Sequence, residues 1–491
     1  MRLSLATLTL PLLVTVPCVA QQTIPPVSAL IKQYDQDADG KLTAEDVAKS
    51  RYARQFPRWD QDQNGKVTAD EIIAFRRRYG IAADGSRIAA AAKPLKIPDT
   101  ESLARVDRTH PPSRDAARNS AYILRTQPHR VTGQEYVILT DHLEPAYVQH
   151  LQRLAKHRAG SLLTVKNLTQ LPDQPDERAR IRSRLRQAKY VAIAPRKESY
   201  RENTLLALWE LLSTIDDDPQ IDVFPGLLLA TDAASLGTLV DQSIRHRPLP
   251  AEEVKPLAIS QCLSVNETRS LQKAGILRKQ FAKTEQSLPI VAIYGKQAAA
   301  APKLSGPQVW NLTTSDKQKF VREFPRDVTQ VMDQSSLWIL HGHGVPGMSC
   351  SVDVDGLPTN MRGKLLLTGS CFSAVPWQSD LPKLREAPGG YQVQPRDAFV
   401  LRAIDRGAVV AFGHQRLSSG FPHLYPILES WQQGQTVGQS YQQLLNALIA
   451  LTQLQPQDFV IRDVKQRRIP QNRLLYVLIG DPALQPLAAR D

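Results

Sequence analysis

Short continuous apolar runs alternate with longer amphipathic stretches over residues 136–480. Strands need continuous apolar runs when both faces of their sheet are covered, and stretches such as AYVQHLQRLAKH and SYQQLLNALIALTQL fit the covering helices. This order predicts an α/β fold with parallel strands, and the number of runs predicts two sheets, one within 119–285 and one within 286–491. The strand candidates are YVILT (136–140), SLLTV (161–165), YVAIA (190–194), GLLLAT (226–231), IVAIYG (290–295), LWIL (337–340), KLLLT (364–368), AVVAFG (408–413) and LLYVLIG (474–480).

The first segment, MRLSLATLTLPLLVTVPCVA, has the composition of a secretory signal over residues 1–20. One arginine precedes an apolar run that ends in small residues, so we expect cleavage before Gln21. A membrane anchor is the alternative, but Pro11 and Pro17 interrupt the run and it is short for a bilayer span. A lipoprotein signal at Cys18 is disfavoured because no small residues precede it. We expect a secreted, periplasmic or cell-envelope protein without stable membrane insertion.

The formal net charge of the chain is +13. Such a charge is compatible with nucleic-acid binding, but the sequence has no aromatic-interleaved basic motif and no zinc-finger or helix-turn-helix spacing. A solvated basic surface, attracted to acidic envelope polymers, is the preferred interpretation. No nucleic-acid partner is therefore expected, and the sequence does not indicate an oligomeric state.

Residues 35–46 (DQDADGKLTAED) and 60–71 (DQDQNGKVTADE) form an internal repeat. Each copy has oxygen donors at loop positions 1, 3 and 5, glycine at 6, an apolar residue at 8 and a carboxylate at 12, which is the EF-hand pattern for Ca²⁺. A hard cation needs several oxygen ligands, and the glycine lets the loop turn sharply. The predicted ligands are Asp35, Asp37, Asp39, the Lys41 carbonyl, Thr43 and Asp46 in the first loop, and Asp60, Asp62, Asn64, the Lys66 carbonyl, Thr68 and Glu71 in the second.

The two loops differ at position 12. Glu71 can reach a cation with both oxygens, whereas the shorter Asp46 is expected to bind more weakly or to admit Mg²⁺. Leu42 and Val67 at position 8 are predicted to pair as the short strand between the loops. We expect a small all-α EF-hand pair over 21–80. A linker should follow over 81–118, where Ala, Lys, Pro, Arg and Ser dominate without periodicity.

Two of the apolar runs end in chemically useful groups. LWIL is followed by HGHG (341–344), and KLLLT by GSC (369–371). Functional groups of parallel sheets collect beyond the carboxyl ends of the strands, and consecutive strands are often neighbours. A thiol and an imidazole at neighbouring strand ends suffice for nucleophilic catalysis. The N–H groups of Gly344 and Cys371 would then form an oxyanion hole.

These residues also have other interpretations. A cysteine after an apolar strand is more often an inert core thiol, and a strand-end histidine is usually structural. His341 and His343 also have the spacing of metal ligands, which would indicate a zinc hydrolase. Further ligand candidates are distant in sequence: Asp353, His414 and His423. Without the signal the chain has three cysteines, so at least one thiol is unpaired: Cys262, Cys350 and Cys371.

The order of these parts resembles the caspase-like cysteine peptidases, the group that includes legumains, clostripain, separases, caspases and gingipains. In that pattern a histidine before a glycine is the general acid and base, which selects His343. The nucleophile follows a small residue at the end of the next apolar block, which selects Cys371. The resemblance makes His341 a neighbour that packs against His343 or tunes it.

The resemblance is closest to the gingipain-type family and covers most of residues 130–488. It implies a caspase/gingipain-like parallel-sheet sandwich of two subdomains, a non-catalytic one over 119–285 and a catalytic one over 286–491. The substrate would be a protein or peptide, with Arg or Lys at P1 suggested only by the relatives. The segments that carry the resemblance are YVILTDHLEPAYVQHLQRLAKHRAG, IDVFPGLLLATDAASLGTLVDQSIRH, RGAVVAFG, GQTVGQSYQQLLN and YVLIGDPALQP.

The chain departs from that family beside both site residues. VPGMSCSVDVDG follows the histidine, where gingipains have an acidic residue and a tryptophan, and FSAVP follows Cys371 in place of an Asn-Gly-Asp-Phe type run. An inactive, calcium-dependent binding protein of the envelope, with the peptidase fold as scaffold, is therefore the alternative function. Asp481, in the Gly-Asp-Pro segment, is interpreted as a turn residue and not as a third catalytic group.

Overall fold

The chain divides into two compact units, Met1–Lys93 and Pro94–Asp491. The predicted signal lies outside the described residues, as does the predicted linker apart from 82–84. No described helix has the length and apolar character needed to cross a membrane. The computed structural model describes residues 25–48, 50, 52–53, 55–60, 62, 64–78, 82–84, 131–216, 218–265, 268–282, 287–314, 320–377, 379, 398–418, 424–462 and 470–489.

The N-terminal unit consists of short helices around two paired loops. Its elements are α1 (Val27–Tyr34), β1 (Leu42–Thr43), α2 (Ala44–Val47), α3 (Phe56–Trp59), β2 (Lys66–Val67) and α4 (Ala69–Arg78). Strands β1 and β2 are antiparallel with Leu42 opposite Val67, so the predicted pairing is confirmed. Both side chains are completely buried in a small apolar core with Trp59 and Ile72. The β1–β2 pair thus joins the two loops of the repeat.

The C-terminal unit is built around one large sheet. Its strands are β3 (Glu135–Thr140), β4 (Ser161–Thr164), β5 (Ala188–Ala194), β6 (Phe224–Leu227), β7 (Pro256–Cys262), β8 (Ile290–Tyr294), β9 (Val309–Thr313), β10 (Leu337–His341), β11 (Gly344–Val345), β12 (Met348–Ser349), β13 (Val352–Asp353), β14 (Leu365–Thr368), β15 (Val410–His414) and β16 (Tyr476–Ile479). Strands β11, β12 and β13 form a separate antiparallel sheet. The other strands form one sheet in the order β4-β3-β5-β6-β16-β15-β14-β10-β7-β8-β9.

Helices connect the strands of this sheet. They are α5 (Pro145–His157), α6 (Pro175–Leu185), α7 (Glu202–Leu212), α8 (Ala233–Arg245), α9 (Arg269–Ala282), α10 (Arg326–Gln334), α11 (Phe399–Asp405), α12 (Leu424–Gln432) and α13 (Val437–Thr452). The start of α13 shows how the sequence sets a boundary, because Thr436 and Gln439 form a reciprocal capping box. All but one of the neighbouring strand pairs in the large sheet are parallel, so the predicted mostly parallel α/β fold is confirmed.

The prediction of two separate sheets is wrong. Strand β16 joins the two halves, because it is parallel to β6 through Ile479 and Leu227 and antiparallel to β15. The result is one sheet with two parallel blocks of opposite direction. Strand β7 precedes the predicted boundary at 286 but pairs with β10 and β8 in the second block. Strand partners are set by long-range packing, which strand counts do not reveal.

Candidate active site at the carboxyl ends of two neighbouring strands

Strands β10 and β14 are direct neighbours. They are parallel, with Leu340 opposite Thr368, which confirms the predicted adjacency. The HGHG and GSC segments therefore leave the sheet side by side, because parallel strands end at the same edge. Both strands are completely or almost completely buried, which gives the two segments a rigid base.

Gly344 lies against the backbone of the proposed nucleophile. A Cβ atom at this position would lie 2.1 Å from the Cys371 carbonyl oxygen and 2.8 Å from Ser370 Oγ. No side chain can be accommodated at such distances, so glycine is required for the close approach. The residue that follows His343 thus contacts the Ser370–Cys371 segment directly.

Three buried hydroxyl groups hold this arrangement together. Ser349 Oγ lies 2.7 Å from both Thr368 Oγ1 and Ser370 Oγ, and the last two are 2.9 Å apart. Ser349 belongs to β12, whose partner β11 begins at Gly344. The hydroxyl cluster therefore fastens the β11–β12 hairpin to the end of β14. Buried hydroxyls that satisfy one another in this way favour a single geometry.

Gln261 positions the backbone of His343. Its Oε1 accepts the His343 N–H at 2.7 Å, and its Nε2 donates to Ser351 Oγ. The His343 carbonyl in turn accepts the Cys350 N–H at 2.8 Å. The His343 side chain is exposed. Gln261 was not predicted from the sequence, where its signal is a long polar side chain within the apolar run PLAISQC of β7.

His341 has a different environment from His343. It is buried and its ring stacks on Tyr425, with centroids 5.7 Å apart and planes at 22°. Burial, and to a smaller extent the charge of Lys273, holds the pKa of His341 well below its usual range, so the ring is neutral. Among the described residues, the groups of three or more potential metal ligands include neither His341 nor His343.

Cys371 is the one partly exposed thiol among the three described cysteines. Its Sγ accepts the Ser418 N–H at 3.3 Å and lies 3.4 Å from Ser418 Oγ. The next residue, Phe372, has a left-handed backbone with φ 55° and donates its N–H to the Arg416 carbonyl at 2.9 Å. After this turn the thiol contacts the segment that follows β15. Ser418 was likewise not predicted from the sequence.

The other two cysteines are buried. Burial raises the pKa of Cys350 to about 12, which keeps this thiol protonated. Cys262 Sγ donates to the Ser264 carbonyl at 3.2 Å. Neither buried thiol has the exposure that a nucleophile needs, so the environment of Cys371 is distinct among the described cysteines.

Asp481 is a buried structural residue. It accepts hydrogen bonds from the Tyr136 hydroxyl at 2.8 Å and from Arg158 Nε at 2.8 Å. Its Oδ1 also accepts the Ala483 N–H at 3.0 Å, which is a turn contact. These partners leave Asp481 in the role of a turn residue that ties the end of β16 to the first block of the sheet.

The two acidic loops of the N-terminal unit have matching internal geometry. Asp35 Oδ2 accepts the Gly40 N–H at 2.8 Å, and Asp60 Oδ2 accepts the Gly65 N–H at 3.0 Å. Both glycines have left-handed backbones, with φ 79° and φ 81°. At position 12, Asp46 accepts the Thr43 N–H and Glu71 accepts the Thr68 N–H, at 2.7 and 2.9 Å.

Carboxylates converge in both loops. The ligand atoms lie within 4.8 Å of one another in each of two groups, which are Asp35, Asp37 and Asp39 in the first loop and Asp60, Asp62 and Glu71 in the second. Asp46 does not belong to the first group. Such clustered carboxylate oxygens fit a hard divalent cation. The second loop, with its position-12 carboxylate already in the group, is the more complete of the two.

Comparisons with known proteins give limited matches. No family model matches the chain, and neither does any curated protein. A solved structure described as "Structure of Protease" aligns at a TM-score of 0.41 and 10% identity, over 74% of this chain and 80% of its own. The Saccharomyces cerevisiae separase–securin complex aligns at a TM-score of 0.31 and 10% identity, over 59% of this chain and 15% of its own. The functional interpretation of this chain therefore depends on its own residues.

Proposed function

We propose that this protein is an exported cysteine endopeptidase with a caspase-like site, in which Cys371 is the nucleophile and His343 the general acid and base. The close approach of Gly344 to the Cys371 carbonyl carries the proposal, because it brings the residue beside the imidazole against the nucleophile. The partial exposure of Cys371 is further support, since Cys262 and Cys350 are buried. Export rests on the signal-like residues 1–20.

In this mechanism the Cys371 thiolate attacks the scissile carbonyl carbon, and the carbonyl oxygen takes up the negative charge. The N–H groups of Gly344 and Cys371 stabilise that oxyanion. The His343 imidazolium gives its proton to the leaving amine as the C–N bond breaks, which leaves a thioester on Cys371. His343 then takes a proton from water, and the resulting hydroxide cleaves the thioester to release the acid product and restore the thiolate–imidazolium pair.

We also propose that the two acidic loops bind Ca²⁺. The convergent carboxylates and the left-handed glycines fit such an ion. The ligands would be the side chains at loop positions 1, 3, 5, 9 and 12 and the backbone carbonyls of Lys41 and Lys66 at position 7. Bound Ca²⁺ would neutralise the carboxylates and stiffen the N-terminal unit. A zinc centre on His341 and His343 has less support, because the first ring is buried against Tyr425 and the second is exposed.

Hydrolysis of a fluorogenic peptide library tests the peptidase. Residues 21–491 would be assayed with reductant and Ca²⁺ beside the Cys371→Ala and His343→Ala variants, with Cys262→Ala as a matched cysteine control. We expect both site variants to lose cleavage by about a thousandfold or more while the control keeps it. The cleaved peptides would also report the P1 preference.

Cleavage that persists in Cys371→Ala would overturn the proposal. An absence of cleavage by the wild-type protein, both before and after limited proteolysis of residues 81–118, would overturn it as well. That second outcome would favour the alternative that the sequence leaves open, a calcium-dependent binding protein on an inactive scaffold.

A further inference from the structure

Ser418 places two hydrogen-bonding groups on the sulfur of Cys371. The N–H donates to Sγ at 3.3 Å, and the hydroxyl oxygen lies 3.4 Å from the same atom. A backbone N–H can only donate, so the sulfur is the acceptor in the first contact. Ser418 is 4% exposed, so little water competes for these bonds.

The segment around Ser418 is anchored independently of the sulfur. The Ser418 carbonyl accepts the hydroxyl of Tyr476, a completely buried residue of β16, at 2.8 Å. Two residues earlier, the Arg416 carbonyl accepts the Phe372 N–H at 2.9 Å, which ties the segment to the turn after the nucleophile. The position of the Ser418 donors is therefore set by the sheet and does not depend on the thiol.

We propose that Ser418 is a positioning residue that orients the Cys371 thiol and stabilises its thiolate. This inference depends on the proposed function in one respect only, namely that the Cys371 thiolate is the nucleophile. The backbone N–H favours negative charge on the sulfur, because a hydrogen bond to the charged form stabilises that form. The hydroxyl accepts from the thiol when Cys371 is protonated and donates to the thiolate when it is ionised. The Ser418 hydroxyl can thus form a hydrogen bond with the sulfur in both the protonated and the ionised form of Cys371.

The pH dependence of alkylation tests this role without any need for peptide cleavage. Residues 21–491 would react with iodoacetamide between pH 5 and pH 10, and labelling would be measured on the Cys371 peptide by mass spectrometry. The variants are Ser418→Ala, which keeps the N–H, and Ser418→Thr, which keeps the hydroxyl as well. Ser243→Ala is the control, because Ser243 is a buried serine whose hydroxyl donates within α8.

We expect Ser418→Ala to move the midpoint of alkylation upward by about half to one pH unit, which lowers the rate at acidic pH by about three- to tenfold. The Ser418→Thr and Ser243→Ala profiles should match the wild type. Tyr476→Phe removes the hydrogen bond to the Ser418 carbonyl and is a second, independent variant. It should also move the midpoint of alkylation upward. Thermal unfolding would establish that each variant is folded.

Two outcomes separate this proposal from the peptidase. Coincident profiles of the wild type, Ser418→Ala and Tyr476→Phe would overturn the role of Ser418, whatever the peptide assay gives. A shifted profile in a protein that cleaves no peptide would keep that role and count against the peptidase. A shift of equal size in Ser418→Thr would also contradict the proposal, because it would indicate a packing effect in place of a donor effect.

Discussion

The acidic loops and the strand-end site differ in how far apart their parts lie in the chain. In each loop, Asp35 or Asp60 accepts from a glycine five residues later, so the whole ligand set lies within one short segment. At the strand ends, Gln261 contacts His343 across 82 residues, and Ser418 contacts Cys371 across 47. A local site can be read from spacing, whereas a long-range site needs the order of the strands.

The carboxylates of the two units differ as well. Hydrogen bonds lower the pKa of Asp39, chiefly through the Lys66 ammonium of the other loop, and that of Asp46, chiefly through the Thr43 N–H of its own loop. In the C-terminal unit, burial raises the pKa of Asp222 to about 8. The carboxyl groups of Asp39 and Asp46 therefore ionise more readily than usual, whereas ionisation of the buried Asp222 at alkaline pH destabilises the folded state.

The largest expected effect tests the long-range site at its tightest point. Gly344→Ala would place a Cβ atom 2.1 Å from the Cys371 carbonyl oxygen, so the hairpin must shift. We expect loss of peptide cleavage by about 100-fold, the effect of displacing catalytic groups by roughly 1 Å. Gly369→Ala is the matched control, since its Cβ would meet only Leu424 atoms at 3.7 Å. Equal activity of the two variants would refute the proposed contact between the His343 and Cys371 segments.

A smaller effect should distinguish the two local sites from each other. Glu71→Gln removes a carboxylate that already lies within 4.8 Å of Asp60 and Asp62, whereas Asp46 stands outside the first group. We expect Glu71→Gln to weaken Ca²⁺ binding at one site by about tenfold or more, and Asp46→Asn to have less effect. Isothermal titration calorimetry would measure both.

Neighbouring acidic residues provide the controls for that experiment. Asp70→Asn and Glu45→Gln remove the same charges from loop position 11, which is not a ligand position. If these variants weaken binding as much as the position-12 variants do, the effect is one of net charge and the assigned ligands are wrong.

The smallest effect concerns the pH dependence of stability. The pKa of Asp222 is raised from 3.8 to about 8 in the folded state, so the folded state binds the proton more tightly than the unfolded state. The stability from that proton is complete below pH 3.8 and is lost as the pH rises toward 8. Asp222→Asn should therefore be more stable than the wild type at pH 9, by about 1 kcal/mol or more, and should lose this advantage in acid.

Denaturant unfolding at pH 5 and pH 9 would measure this difference. Asp173→Asn, at an exposed position, is the control and should show no such pH-dependent gain. If the free energy of unfolding of the wild type does not fall relative to that of Asp222→Asn between pH 5 and pH 9, Asp222 is not a buried, protonated carboxyl.

The sequence predicts most of the strands but only part of the site. Each of the nine predicted runs coincides with or overlaps a strand, because continuous apolar residues are what a covered parallel sheet needs. In the large sheet, strands β7 and β9 were not predicted, the first because Ser260 and Gln261 interrupt its apolar run and the second because its residues are partly exposed. The short strands β11, β12 and β13 were not predicted either. Because β7 was not predicted, Gln261, the side chain that positions the His343 backbone, was not predicted either.

Spacing and residue type are enough to identify both acidic loops, the pairing of Leu42 with Val67, and the two strand ends that carry His343 and Cys371. They do not identify the insertion of β16 between β6 and β15, or the contacts of Gln261 and Ser418. The physical reason lies in the hydrogen bonds of the sheet, which join backbone groups common to all residues. An apolar pattern therefore encodes which strands are buried, while packing of the complete chain selects their partners.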